Sequence, residues 1–335
     1  MTHARDAAAQ GDDFVTTTTD TSMASNPGYL HRLDLAMPEH AQDPAPEWLH
    51  MCIRHRETSQ FLMDDEQLDE IIVSAMVAPE TRSRIVLRAN GVMVLLKAMH
   101  LREGADPEHF AAVRLWIDKN RIISTREEDI DAILQMRELI EAGKGPHTTG
   151  QFLAGLIGSV YRDLGPLVEE LEDQLHELDQ RLASNDADDV FCGNLGKLRR
   201  RVAAFLHHLT PHKAVLETLM NSKCSFFSEV DHYLFVEHHD TLSRFLETLN
   251  DLRDRGRIAD DQINRIQAGR IERINFLFTM VATIFLPISF LTGLFGVNLQ
   301  GIPFSQYESA FVVFCLVCIA IVGLTLWAFR RRGLY

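Results

Sequence analysis

Apolar positions are spread unevenly along the 335-residue chain. From residue 274 to residue 329 a single side chain is charged, Glu308, whereas upstream of Ile274 charges recur every few positions. Two stretches, 276–295 (FLFTMVATIFLPISFLTGLF) and 309–329 (SAFVVFCLVCIAIVGLTLWAF), carry no charge at all. Twenty helical residues reach roughly 30 Å, the thickness of a hydrocarbon core, so each stretch predicts a membrane-spanning helix. Residues 296–308 join them, a connection short enough to require an antiparallel hairpin. Arg265, Arg270 and Arg273 precede the first span, and Arg330, Arg331 and Arg332 follow the second. The joining loop has neither Lys nor Arg. The positive-inside rule therefore puts both termini in the cytoplasm and the loop outside.

The rest of the chain reads as an α+β region with a mostly antiparallel sheet, followed by helices. Residues 84–87, 92–98, 112–117 and 121–124 alternate or carry β-branched residues, and 64–77 and 127–142 have helical periodicity. Asn90-Gly91 between two apolar runs is a hairpin turn signal. From residue 151 to 183, Leu164, Leu167, Leu171, Leu175, Leu178 and Leu182 recur at steps of three or four, opposite an acidic face. A second helical run covers 191–220, bent or interrupted at Pro211. A third begins near Glu229 and meets no proline before Pro287. If unbroken, it forms a stalk of roughly 100 Å that runs into the first span. The expected organisation is a disordered tail (1–27), a cytoplasmic α/β domain (28–146), a helical region (147–228), a stalk (229–275), the first span (276–295), an external loop (296–308), the second span (309–329) and a basic tail (330–335).

Composition narrows the function classes. The net charge is −14, the opposite of the cationic footprint that a nucleic-acid binder needs. Such a balance suits attraction of cations. Five scattered cysteines form no disulfide framework and fit a reducing compartment. The first 20 residues are polar and lack the apolar core of a secretory signal. No Walker loop, dinucleotide glycine pattern or nucleophile elbow occurs, which argues against an enzyme and for use of an existing gradient.

The first span is not uniformly apolar. Asn275, Ala282, Ser289 and Gly296 stand seven apart, as do Thr279, Leu286 and Gly293. Together they trace a 4-3-4-3 stripe down one helix face. The stripe is either a small-residue packing face between helices or the lining of a narrow pore. Two helices cannot enclose a pore, so the second reading demands an oligomer. Leu286 and Phe278 would make constrictions that gate by dewetting. The 15 histidines invite a zinc reading, with clusters at His207-His208-His212 and His232-His238-His239. Asp231 and His238, like His232 and His239, are seven apart and share a helix face. Imidazole and carboxylate are proper zinc ligands, yet the spacing matches no strict metal motif, and these histidines read equally as surface or packing residues.

Residues 282–298, ATIFLPISFLTGLFGVN, resemble the end of the first transmembrane helix of the CorA metal ion transporter family, which closes in a Gly-Met-Asn or related Gly-x-Asn signature. Here the triplet is Gly296-Val297-Asn298. The following LQGIP, the C-terminal GLTLWAFRRRGLY and AVRLWIDKNRIISTR at 112–126 look like its zinc-transporting, ZntB-like branch. Gln300 and Phe304 depart from that branch, which usually has glycine at both positions. The resemblance implies a CorA-like homopentamer in the cell inner membrane, with a cytoplasmic funnel and five first spans around the pore. It implies transported Zn2+, with Mg2+, Co2+, Ni2+ and Cd2+ as other candidates, proton-linked movement, and no cofactor. Gly296, Val297 and Asn298 would form the external mouth, Glu308 would attract cations there, and Asn275, Thr279, Leu286, Ser289 and Gly293 would line the pore. Neutral amide oxygens suit an ion that sheds water reluctantly, because they bond its hydration shell without trapping it. Asn298 also fits a helix C-cap, and Glu308 a solvated loop position. A magnesium or cobalt channel of the CorA type and a membrane-tethered sensor without transport stand as alternatives.

Overall fold

The computed structural model describes residues 30–35, 44–79, 82–99, 109–184, 188–297 and 309–331. The expected N-terminal tail, Asn298 and Glu308 lie outside them. The described residues form two compact units: one gathers the chain up to Leu178 with Gly193–Asp254, the other Asp179–Cys192 with Arg255 onward.

The first unit is built on a six-stranded sheet in the order β1-β2-β6-β5-β4-β3. The strands are β1 (Leu30–Asp34), β2 (Glu47–Cys52), β3 (Arg84–Leu87), β4 (Val92–Met99), β5 (Phe110–Ile117) and β6 (Arg121–Arg126). Every neighbouring pair is antiparallel except β2 and β6. Strands β3–β6 occupy the predicted positions. Strands β1 and β2 lack a sequence signal of their own, because β2 finds its partner across 74 residues of chain, pairing His50 with Ser124. The helix expected at 64–77 starts later, as α2 (Glu70–Val77), and a further helix that was not expected, α1 (Arg56–Met63), precedes it. Asp69 ends the turn between them by accepting from the Ile72 amide at 2.8 Å, an N-cap for α2. Helices α1 and α2 bury Leu62, Ile72 and Met76 against Leu49, Met51, Met93, Leu95, Trp116 and Ile123 of the sheet. Arg114 of β5 is fully buried and donates to the carbonyls of Ala78 and Pro79, satisfying the end of α2. Helix α3 (Asp131–Glu141) follows β6.

Three long helices complete the chain's order before the last span: α4 (Thr149–Ala183), α5 (Asp189–Met220) and α6 (Glu229–Phe295). Within the first unit α4 and α5 pack on the sheet through aromatic contacts, Trp48 with Phe152 at 4.9 Å and Phe110 with Phe205 at 5.4 Å. The predicted leucine row of α4 is buried at Leu164, Leu171, Leu175, Leu178 and Leu182. Helix α5 continues through Pro211 rather than breaking there. Helix α6 is unbroken over 67 residues, with Pro287 inside it. Helix α7 (Ala310–Arg331) ends the described chain.

Candidate functional site

The apolar end of α6 and α7 form an antiparallel pair. Phe276 meets Phe329 and Phe295 meets Phe314, with ring centroids 5.8 and 5.7 Å apart. Both helices are long and apolar enough to cross a membrane. Along α6 only Phe276, Met280, Ile284, Pro287, Ile288 and Leu291 are partly covered in this stretch. Asn275, Thr279, Ala282, Leu286, Ser289, Gly293 and Gly296 are all exposed. At 3.6 residues per turn the covered row sits roughly 150° around the helix from the stripe. Helix α7 therefore takes one side of α6 and leaves the lightly polar side open.

The stripe is polar but not charged. The Thr279 hydroxyl donates to the Asn275 carbonyl at 2.8 Å and Thr283 to the Thr279 carbonyl at 2.7 Å, so both hydroxyls are tied to the helix. Their oxygens keep lone pairs for outside donors. Nothing lies within 4 Å of where a Cβ on Gly293 would stand, so that glycine opens space along the stripe. Gly296 closes α6: its amide donates to the Thr292 carbonyl at 2.8 Å, and a Cβ there would meet that same oxygen at 2.7 Å. A glycine is required at this turn for want of room. Gly296 and Val297 are both exposed just past the helix end. Cys315 and Cys318 of α7 fall on its half-buried side, among Phe314, Ile321 and Val322.

The four histidine and aspartate candidates upstream are placed separately. Asp231 caps its own helix: its Oδ2 accepts from the amide and hydroxyl of Ser228, each at 2.8 Å, while the Ser228 hydroxyl oxygen accepts from the Asp231 amide at 3.2 Å. This reciprocal pattern is a capping box at the start of α6. The same carboxylate lies against Gly150 of α4 so closely that a Cβ there would collide with Oδ2. The His232 ring lies 6.2 Å from each of the rings of Phe227 and Phe235, which themselves pack at 5.4 Å. His238 donates from Nε2 to the Ala154 carbonyl at 2.8 Å, and burial lowers its pKa. His239 stands 3.9 Å from Glu217. Among the described residues no three His, Cys, Asp or Glu side chains converge as a metal cage.

The structure buries two histidines: His50, which the sequence did not single out, and His212, which it groups with His207 and His208 as a zinc candidate. His212 is fully covered: its Nε2 accepts from the Lys97 amide at 3.2 Å, so the proton is on Nδ1, which donates to the Tyr161 hydroxyl oxygen at 3.2 Å. Burial is the main reason its pKa falls to about 3, with the nearby His208 adding to the effect. His50 is held at Nδ1 by the Ser124 hydroxyl at 2.7 Å, beside Trp48, which donates to the same oxygen. Burial, then the charge of Arg126, lowers His50 to about 3. His50, between Leu49 and Met51, follows no metal-ligand spacing, and the adjacent histidines of α5 make His212 read as a ligand rather than a packing residue.

Comparison with known proteins adds an independent line. The family model for the CorA-like Mg2+ transporter protein matches residues 45–331. A zinc transport protein ZntB from Photorhabdus laumondii is 29% identical over 286 residues, covering 85% of this chain and 87% of its own length. A divalent cation transporter CmaX from Pseudomonas aeruginosa is 30% identical over 285 residues, covering 85% and 86%. The solved full-length CmaX protein superposes with a TM-score of 0.76 at 28% identity, over 92% of this chain and 99% of that one. The complete CorA magnesium transporter of Methanocaldococcus jannaschii shares the fold, with a TM-score of 0.72 at 18% identity over 92% and 99%.

Proposed function

The chain belongs to the CorA-like Mg2+ transporter family, and from that premise we propose that it carries divalent metal cations, zinc first among them, across the cell inner membrane. Five copies would surround an axis with the stripe of α6 turned inward and α7 outside. The observation that carries this reading is the division of α6 into two sides: α7 covers the row from Phe276 to Leu291, and the row from Asn275 to Gly293 is left for a partner. An isolated hairpin has no use for a seven-residue repeat of small and polar positions opposite its packing side. A ring of such faces does, because it keeps water in file without binding the ion tightly.

In this reading Asn275, Thr279 and Ser289 offer neutral oxygens, Leu286 narrows the path, and Gly293 widens it below the mouth. Gly296, Val297 and Asn298 form the external mouth, and Glu308 concentrates cations there. The cation stays hydrated, or nearly so, since small divalent ions dehydrate reluctantly. Both termini face the cytoplasm, with Arg265, Arg270 and Arg273 at one flank of the hairpin and Arg330, Arg331 and Arg332 at the other. The relatives named for zinc and for divalent cations support metal cargo, and the zinc relative favours Zn2+.

The test is flux in liposomes loaded with metal-sensitive dyes. Zinc entry exceeding magnesium entry, and lost in Asn298→Ala, is the expected result. Magnesium entry with zinc acting only as a blocker would reassign the cargo. Absence of flux for either ion from a verified pentamer would overturn transport itself. A pH gradient imposed on the same vesicles reads out proton coupling as a change in zinc flux.

A further inference from the structure

The first unit carries a pocket of about 470 Å³ whose lining is cationic although the chain as a whole has a net charge of −14. Arg82, just ahead of β3, Arg253 of α6 and His207 of α5 line it, together with the apolar Ala203, Leu206 and Pro211 of α5. Among the described residues no carboxylate lines it. Arg82 is exposed and, among the described residues, makes no hydrogen bond or ion pair. Arg253 gives Nε and Nη2 to one oxygen of its neighbour Asp254, each at 3.0 Å, which leaves Nη1 uncommitted. The Thr210 hydroxyl is already spent on the Leu206 carbonyl at 2.6 Å, so the two guanidiniums and the His207 ring are the donors available to a ligand.

We propose that this pocket binds a phosphate-bearing small molecule of mononucleotide size, its phosphate between Arg82 and Arg253 and its apolar part on the wall of α5. Three features support this. Guanidinium presents paired donors at the spacing of phosphate oxygens and is the preferred side chain for that contact. The two arginines come from elements far apart in sequence, residues 82 and 253, so their convergence is a product of the fold rather than a run of surface charge. The volume lies within the range of roughly 300–1,000 Å³ in which small-molecule sites occur, and an apolar wall with a few convergent donors is their usual make-up. No residue of the proposed ion path takes part, so this site stands or falls independently of transport.

The experiment is calorimetric titration of the purified full chain, free of added metal, with inorganic phosphate, AMP and adenosine in separate arms. AMP is expected to bind, adenosine not to bind, and inorganic phosphate to bind more weakly than AMP. In Arg82→Ala/Arg253→Ala, both on exposed side chains, AMP affinity is expected to fall by about tenfold or more, because charge-assisted hydrogen bonds carry it. The thermal midpoint of the variant without ligand verifies that it folds. Phosphate binding as tightly as AMP would overturn the mononucleotide-sized ligand, since the apolar wall would then contribute nothing. Binding of AMP that the double substitution leaves unchanged, adenosine binding as well as AMP, or no binding in any arm would overturn the proposal.

Discussion

The sheet-bearing unit covers its largest side chains completely, with Trp48 and Trp116 at 1% exposure and Phe152 and Phe205 at 0%, whereas the apolar end of α6 leaves Phe278, Phe285, Leu286 and Phe290 between 62% and 75% exposed. The contrast is one of partners. The first region finds all the apolar surface it needs within its own chain. The second finds only α7, on one side, and leaves the rest of its apolar surface uncovered. The same difference governs polar groups. In the first region buried polar groups bond to one another, as in the chain from the Lys97 amide through His212 to Tyr161. In the second, small and polar residues collect on the open side of one helix, which the proposed ring of copies would turn toward a wet axis.

The comparison is broken most severely by filling the open side. Gly293→Leu meets empty space in a single chain, so the hairpin is expected to fold with an unchanged thermal midpoint. Five leucines facing one axis would close the path, and zinc flux in liposomes is expected to be abolished. A variant that conducts normally would place the axis elsewhere. Next in size is a change on the closed side. His212→Leu removes the acceptor facing the Lys97 amide and the donor facing the Tyr161 hydroxyl. It is expected to lower unfolding stability by about 2 kcal/mol, read by denaturant titration, while flux per folded pentamer is retained.

The smallest expected effect is a pH dependence of stability. His50 and His212 both fall to about 3 in the folded chain from an ordinary 6.5, chiefly through burial. The unfolded chain therefore binds protons that the folded chain refuses. The stabilisation is complete above about pH 6.5 and is lost as pH falls toward the folded values. From pH 7 to pH 6 the pair is expected to cost roughly 1 kcal/mol. Melting followed by tryptophan fluorescence at the two pH values measures it; His208, lowered to about 4, and His31 and His238, also lowered, act in the same direction, so His212→Leu should flatten the dependence only in part.

Much of this contrast was legible in the sequence, and the missing parts share a cause. Twenty uncharged residues in a row announce a span whatever surrounds them, and the 4-3-4-3 stripe stands out because Asn275, Thr279, Ser289 and Gly293 differ chemically from their neighbours. The row that packs on α7 has no signal of its own, since Met280, Ile284 and Leu291 are no more apolar than the exposed Leu277 or Phe285. Strands β3 to β6 are joined by short local connections, or pair across one, and were read. Strands β1 and β2 depend on the parallel pairing of β2 with β6, a long-range contact that local pattern does not report. Asp231 stands out in the sequence for its ligand chemistry, and the structure adds its capping box with Ser228, three residues before it. Arg82 and Arg253 meet only in three dimensions.

The most direct test of the central claim is a cysteine scan of α6 in a background with the five native cysteines replaced, reading zinc flux before and after a water-soluble thiol reagent. Modification is predicted to block flux at positions 275, 279, 286, 289 and 293 and to leave it intact at 276, 280, 284 and 291. Block confined to the second set, or spread evenly over both, would contradict an axis lined by the open side of α6.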